Sequence, residues 1–290
     1  MSMIFRKYFP TIQFHPILLI FMVISFLTGT FMELSIILII VVIHELGHYF
    51  MSVFFKWRVD SIVLWVFGGV MKTEEHGNNS LWEEALIIIA GPLQNIMIYI
   101  GLYFLSTYDI FPTTVLELIL YYNTAILLFN LLPIWPLDGG KLFFVMLSSF
   151  LPYRKAYHFI IIFSMMFSLV FLLLQLFVFP FTLSAFFLMI FLFMENRTEW
   201  KQRFYVFIRF LLRRYEGHSN VKKVQPITVS HQNYLMDVFF QFKRGKKHPI
   251  YISYPDRERM FIDESDCLRS YFHDQQYNKT IGEVADKVSL

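Results

Sequence analysis

The stretch Val41-Val42-Ile43-His44-Glu45-Leu46-Gly47-His48-Tyr49-Phe50 constrains this chain more than any other. Ile36 to Ile43 are all apolar, and Phe50, Val53, Phe54 and Phe55 follow. Two histidines four apart lie on one face of an α-helix, about one turn apart, so both imidazoles can reach one metal ion. Glu45 sits beside that point, placed to act on a water rather than to ligate. Two imidazoles and a carboxylate at membrane depth mark a functional site, because three such groups in one turn need a cation as partner. The plain alternative is a pair of core histidines with a buried glutamate. It leaves the same groups without an adequate partner.

Composition sets the surroundings of this stretch. Hydrophobic residues make up 56% of the 290, with 35 phenylalanines, where a soluble domain holds about 45–50% apolar residues. Several runs reach the ~20 apolar residues that cross a bilayer. The fold class is therefore a polytopic α-helical membrane protein with a small α/β cytoplasmic domain. The single cysteine, Cys267, forbids an internal disulfide. No cleavable signal peptide is expected, because the first apolar run lacks a small-residue cleavage site.

Six spans are predicted, at about 16–32, 34–55, 85–106, 114–132, 156–178 and 181–194. Residues 1–15 read as an amphipathic lead, His15 as an interfacial residue and Glu33 as a tight turn. Residues 59–73 are too short to span as a helix. Their alternation predicts a strand or re-entrant element around a Gly68-Gly69 turn, whose edge can pair with an unwound peptide, with a plain interfacial hairpin the alternative. Glu74, Glu75 and His76 look ligand-like but fall in a polar turn. Gly91-Pro92 and Gln94-Asn95 let helices approach and bond. Asn123 and Asn130, seven apart, share a face. Two prolines and two glycines then break the chain around Asp138, which predicts irregular backbone near the membrane. Residues 141–151 read as a short returning helix.

The 25 basic residues fall only in the two termini and in the 56–84 and 141–155 segments. With six spans, the positive-inside rule puts both termini in the cytoplasm. The domains follow as 1–196, a membrane domain; 197–223, a basic amphipathic linker on the anionic leaflet; and 224–290, a small α/β module that leans on a partner copy. Direct nucleic-acid binding is the weaker reading of the basic run, because that run abuts a span.

A catalytic zinc site usually has three protein ligands and one open position. His44 and His48 supply two, and Asp138, at the cytoplasmic end of the fourth span, is the candidate third. Glu45 is the expected proton acceptor and donor in peptide hydrolysis. Asn130 is a candidate donor to substrate or oxyanion, with plain helix–helix bonding the alternative.

His44-Glu45-Leu46-Gly47-His48 and Leu137-Asp138-Gly139-Gly140 resemble the motifs of the site-2-type intramembrane zinc metalloproteases. Gly68-Gly69, Glu74 to Asn78, Ala90 to Gln94 and Asn130 to Lys141 narrow the resemblance to its sporulation branch. Pro136-Leu137-Asp138-Gly139 stands where many relatives have Asn-Pro-Asp-Gly. The resemblance implies zinc on His44, His48 and Asp138, with Glu45 catalytic. It implies removal of the pro-sequence of sporulation sigma factor K in the mother-cell membrane around the forespore. Inhibitory partners of the stage IV sporulation FA and bypass-of-forespore A type are implied too. So is a C-terminal cystathionine-β-synthase (CBS) domain that binds ATP and mediates homo-oligomers. The alternatives are a site-2-type protease for an anti-sigma factor or signal-peptide remnant, and a zinc transporter or sensor.

Overall fold

The computed structural model describes residues 11–14, 16–65, 68–73, 80–108, 110–178, 181–217, 223–255 and 258–288. His15 and residues 74–76, singled out above, lie outside them. The chain forms two compact units.

The first unit comprises Met1–His76, Trp82–Pro133 and Leu137–Leu142. Helix α1 (Pro16–Thr28) has 13 residues, fewer than the span expected over 16–32. Gly29 ends it with φ +78°, Thr30 N–H donating to Ser25 O at 2.9 Å and Gly29 N–H to Phe26 O at 3.4 Å. This left-handed C-cap favours glycine. The turn is thus made at Gly29, while Glu33 sits in the first turn of α2 (Phe31–Phe54), where a carboxylate suits the helix dipole. The 24 residues of α2 extend about 36 Å, enough for a ~30 Å hydrocarbon layer. Lys56 closes α2 with the same geometry at φ +61°, and Trp57 N–H bonds Ser52 O at 2.8 Å.

The predicted element at 59–73 is a hairpin of β2 (Val59–Trp65) and β3 (Gly68–Thr73). Gly68 and Gly69 pair with Trp65 and Leu64 inside the ladder, so they open β3 and do not form the turn. The predicted lead contributes a strand instead: β1 (Thr11–Phe14) pairs parallel to β2. Four residues carry too little pattern to show this in sequence. Helices α3 (Leu81–Thr107) and α4 (Thr113–Asn130) follow. Asp138 is the first residue of α5 (Asp138–Phe150), not irregular backbone as expected. The break lies just before it, and Lys141 N–H already closes a helical bond to Leu137 O at 2.9 Å.

The second unit comprises Gly77–Leu81, Ile134–Pro136 and Phe143–Leu290. Helix α6 (Tyr153–Phe177) packs along α7 (Leu183–Tyr215). The 33 residues of α7 run unbroken through the expected domain boundary at 196 and most of the expected linker. Among the described residues, four helices, α2, α3, α4 and α6, are long and apolar enough to cross a membrane. The tail after Gly217 is α/β, as predicted, with β5 (Ile227–Ser230), α8 (Leu235–Phe239), β7 (Ile250–Ser253), β8 (Met260–Ile262) and α9 (Glu264–Phe272). The short strands β4 (Lys223–Val224) and β6 (Lys246–Lys247) pair with each other. A helix α10 (Ile281–Val288) closes the chain. In the main sheet β5 runs parallel to β7, and β7 antiparallel to β8.

The tail does not stand apart from the helices of its own unit. Phe207, Phe210 and Leu211 of α7 and Tyr153, Tyr157 and Ile160 of α6 share one buried cluster with Leu235, Phe239 and Phe242. Tyr153 stacks on Phe210 at 4.1 Å, and its N–H donates to Phe242 O at 2.9 Å. A small module short of apolar residues thus completes its core on α6 and α7 of the same chain.

Candidate metal centre

All four residues expected to carry the chemistry lie in the first unit, and all are buried: His44 is 3% exposed, Glu45 6%, His48 5% and Asp138 3%. His44 and His48 project from one face of α2, as the spacing required. Asp138 arrives from α5, and its Oδ2 lies 3.0 Å from His44 Nε2 and 3.1 Å from His48 Nε2. The two Nε2 atoms are 3.2 Å apart. Glu45 stands further back, with a carboxylate oxygen within 4.8 Å of both imidazoles.

Glycines make this convergence possible. A Cβ on Gly47 would lie 2.4 Å from Ala90 O, so only glycine lets α3 approach α2 at the centre of the motif. A Cβ on Gly91 would lie 2.2 Å from His48 Nε2 and 2.8 Å from His44 Nε2. The missing side chain leaves a cradle beside both nitrogens. A Cβ on Gly69 would lie 2.3 Å from Glu45 Cγ, so strand β3 passes directly over the Glu45 side chain. A Cβ on Gly139 would lie 2.2 Å from Leu131 O. That close approach seats the start of α5, and with it Asp138, against the chain leaving α4.

The outer atoms of the ligand set are all engaged. His48 Nδ1 donates to Ile87 O at 2.8 Å. His44 Nδ1 donates to Asn95 Oδ1 at 2.6 Å. Lys141 Nζ lies 3.4 Å from Asp138 Oδ1. A neutral imidazole that donates from Nδ1 has only a lone pair at Nε2. Two such lone pairs and a carboxylate oxygen then face one point at separations of 3.0–3.2 Å. Three acceptors so close repel unless a cation lies among them. The spacing approaches the ~3.3 Å between ligands of a tetrahedral ion with ~2.0–2.1 Å bonds. The residues present therefore fit a zinc ion.

Asn130 does not join this group: its Nδ2 donates to Ile126 O at 3.1 Å, one turn back in its own helix. The polar residues found behind the site are Asn95 and Asn123, both fully buried. Their sequence signal is an amide in an apolar span, which predicts helix–helix bonding for Asn95 and only a face shared with Asn130 for Asn123.

Residues 32–112 and 105–175 match peptidase family M50. Stage IV sporulation protein FB of Bacillus subtilis (strain 168) is 42% identical over 274 residues, covering 94% of this chain and 95% of that protein. A zinc metalloprotease of Methanocaldococcus jannaschii is 32% identical over 121 residues, 40% of this chain and 34% of that protein. Among solved structures, the site-2 protease from M. jannaschii superposes with a TM-score of 0.53 at 24% identity, over 65% of this chain and 89% of that one. That likeness concerns the fold, while the sequence matches carry the family. The chain belongs to peptidase family M50 and is a zinc metalloprotease.

Proposed function

We propose that this chain is an intramembrane endopeptidase in which His44, His48 and Asp138 hold zinc and Glu45 moves the protons of hydrolysis. The observation that carries the reading is the triangle of two Nε2 atoms and Asp138 Oδ2 at 3.0–3.2 Å. Zinc held there supplies Lewis acidity to water and to a peptide carbonyl. Glu45 takes one proton from the attacking water as its oxygen bonds the carbonyl carbon. It returns that proton to the leaving amide nitrogen as the C–N bond breaks. Gly69 keeps β3 close enough to lay an extended peptide beside that carboxylate, and an unwound substrate has free backbone groups to pair with a strand edge. Asn130 remains a candidate donor to substrate, which would require its amide to leave Ile126 O.

The substrate we favour is a membrane-associated precursor of the sporulation sigma-K type, cut to release the mature factor. The near full-length match to stage IV sporulation protein FB supports this assignment. Six spans with both termini in the mother-cell cytoplasm fit the placement of the basic residues. In that arrangement α1 and the apolar start of α7 are the two spans beyond the four long apolar helices. The tail, in strand–helix–strand–strand–helix order, would serve as the CBS-like ATP-responsive and oligomerising module. Partners of the stage IV sporulation FA and bypass-of-forespore A type would hold the enzyme silent. Co-expression with a tagged sigma-K precursor tests the reading. Wild type yields a shortened product, and Glu45→Gln yields far less while keeping its zinc. Cleavage by Glu45→Gln at the wild-type rate, or no product from a zinc-loaded wild type, would contradict it.

A further inference from the structure

Behind the ligand triangle lies an element with no part in the chemistry above. Asn95 of α3 and Asn123 of α4 are each 0% exposed, and they form a reciprocal pair. Asn123 Nδ2 donates to the backbone O of Asn95 at 3.0 Å. Asn95 Nδ2 donates to Asn123 Oδ1 at 2.9 Å. Asn95 Oδ1 then faces His44 Nδ1 at 2.6 Å.

The order of these bonds fixes a direction. A backbone carbonyl can only accept, so the Asn123 atom facing it is nitrogen. Its other end is therefore oxygen and only accepts. The Asn95 atom facing that oxygen must be nitrogen, which turns Asn95 Oδ1 toward His44. An oxygen there requires a hydrogen on His44 Nδ1 and leaves Nε2 bare. Were Asn95 reversed, its NH₂ would face Nδ1, favour the hydrogen on Nε2 and shut that nitrogen to a metal. Two amides with identical ends are thereby oriented by a single main-chain oxygen.

We propose that Asn95 and Asn123 are positioning residues that set the tautomer and ring orientation of His44 for zinc. This rests on His44 being a zinc ligand, as proposed above. His48 needs no such relay, because its Nδ1 meets the Ile87 carbonyl directly. The two histidines of one motif are therefore held by different means, one by a main-chain acceptor and one by an amide pair spanning two helices. Loss of an outer partner of a ligating histidine typically lowers metal affinity about ten- to a hundredfold.

The test is zinc affinity of the full chain in detergent, measured by competition with a chromophoric chelator. Asn95→Leu removes the acceptor and is expected to bind zinc at least tenfold more weakly than wild type. Asn95→Asp keeps an oxygen toward Nδ1 but sets its other oxygen against Asn123 Oδ1, so it should bind zinc more weakly than wild type and clearly more tightly than Asn95→Leu. Asn123→Leu touches neither imidazole and should fall between them. Wild-type affinity in Asn95→Leu or in Asn123→Leu overturns the proposal. So does a loss in Asn95→Asp equal to that in Asn95→Leu, since a merely structural role would not be rescued by a carboxylate. Should Asn95→Leu fail to fold, Asn95→Asp and Asn123→Leu carry the same test. A wild-type chain that binds no zinc refutes the ligand reading itself. A zinc-binding wild type with unaffected variants refutes only the role of the two amides.

Discussion

Two buried polar clusters, one in each unit, obey the same rules and end differently. In the second unit, Arg214 donates to Glu264 Oε1 at 2.6 Å, to Lys243 O at 3.1 Å and to Lys246 O at 2.6 Å. Glu264 Oε2 accepts the His248 N–H at 2.8 Å. Donors and acceptors match, and the charges cancel. In the first unit, His44, His48 and Asp138 turn acceptors toward one another, while the two imidazole N–H groups point outward to Asn95 and Ile87. A buried cluster closed upon itself is structural, whereas one that converges lone pairs is built for a cation. Burial alone would not separate them: both are nine-tenths or more covered.

The largest effect expected from this contrast is at the open cluster. Asp138→Ala should abolish stoichiometric zinc and cleavage together, whereas Glu45→Gln should keep zinc and lose about 10²–10⁴-fold in rate. Metal analysis and a cleavage assay on the same preparations check this. Gly91→Ala should also remove zinc without replacing a ligand, because its methyl falls 2.2 Å from His48 Nε2. Retained zinc in Gly91→Ala would mean that the cradle is not the binding position.

The closed cluster should respond in stability instead. Arg214→Ala leaves Glu264 buried without its partner charge, a loss of about 3–5 kcal/mol in denaturant unfolding of the full chain. Pairing it with Glu264→Gln should cost less than the sum of the two single changes, since the residues share one network. Additive costs would show that the pair does not act as a unit.

The smallest effect is a pH dependence. Burial holds the His248 pKa below its ordinary value, with the nearby Arg214 charge acting the same way. Its Nε2 accepts from Lys243 N–H at 2.9 Å, and its Nδ1 donates to Gln225 O at 2.9 Å, so the folded chain holds it neutral. The unfolded chain therefore takes up the proton first. Stability falls as pH drops below the ordinary value of 6.5 and levels off once pH passes the folded value. Asp263, also held below its ordinary value with Lys247 and Ser265 bonded to it, adds a loss at lower pH. Melting curves from pH 8 to pH 5 should show a smaller shift for His248→Gln than for wild type.

The two clusters also differed in how legible they were. His44, Glu45 and His48 stood out because their polar groups interrupt an apolar run. Asp138 stood out because two prolines and two glycines surround it. Those signals are local, and the structure brings all four together. Asn95 and Asn123 carry no charge and lie in helices that other spans resemble, so their tie to His44 depends on how α3 and α4 meet α2. Arg214 reads in sequence only as part of the basic amphipathic run, because its pairing with Glu264 spans 50 positions. The α/β character of the tail was legible in the sequence. Its burial against α6 and α7 was not, since nothing local distinguishes a face that meets a partner copy from one that meets its own chain. The hairpin at 59–73 was foreseen, yet β1 needed its partner to become a strand.

The central claim is that two imidazoles and Asp138 together clasp one zinc ion. Zinc stoichiometry of purified full-length protein, wild type against Asp138→Ala, tests it most directly when read beside cleavage of a peptide substrate. The account predicts one zinc per active wild-type chain, and neither zinc nor cleavage in the variant. An active wild type without metal, or a variant that keeps its zinc and cleaves as fast, would contradict it.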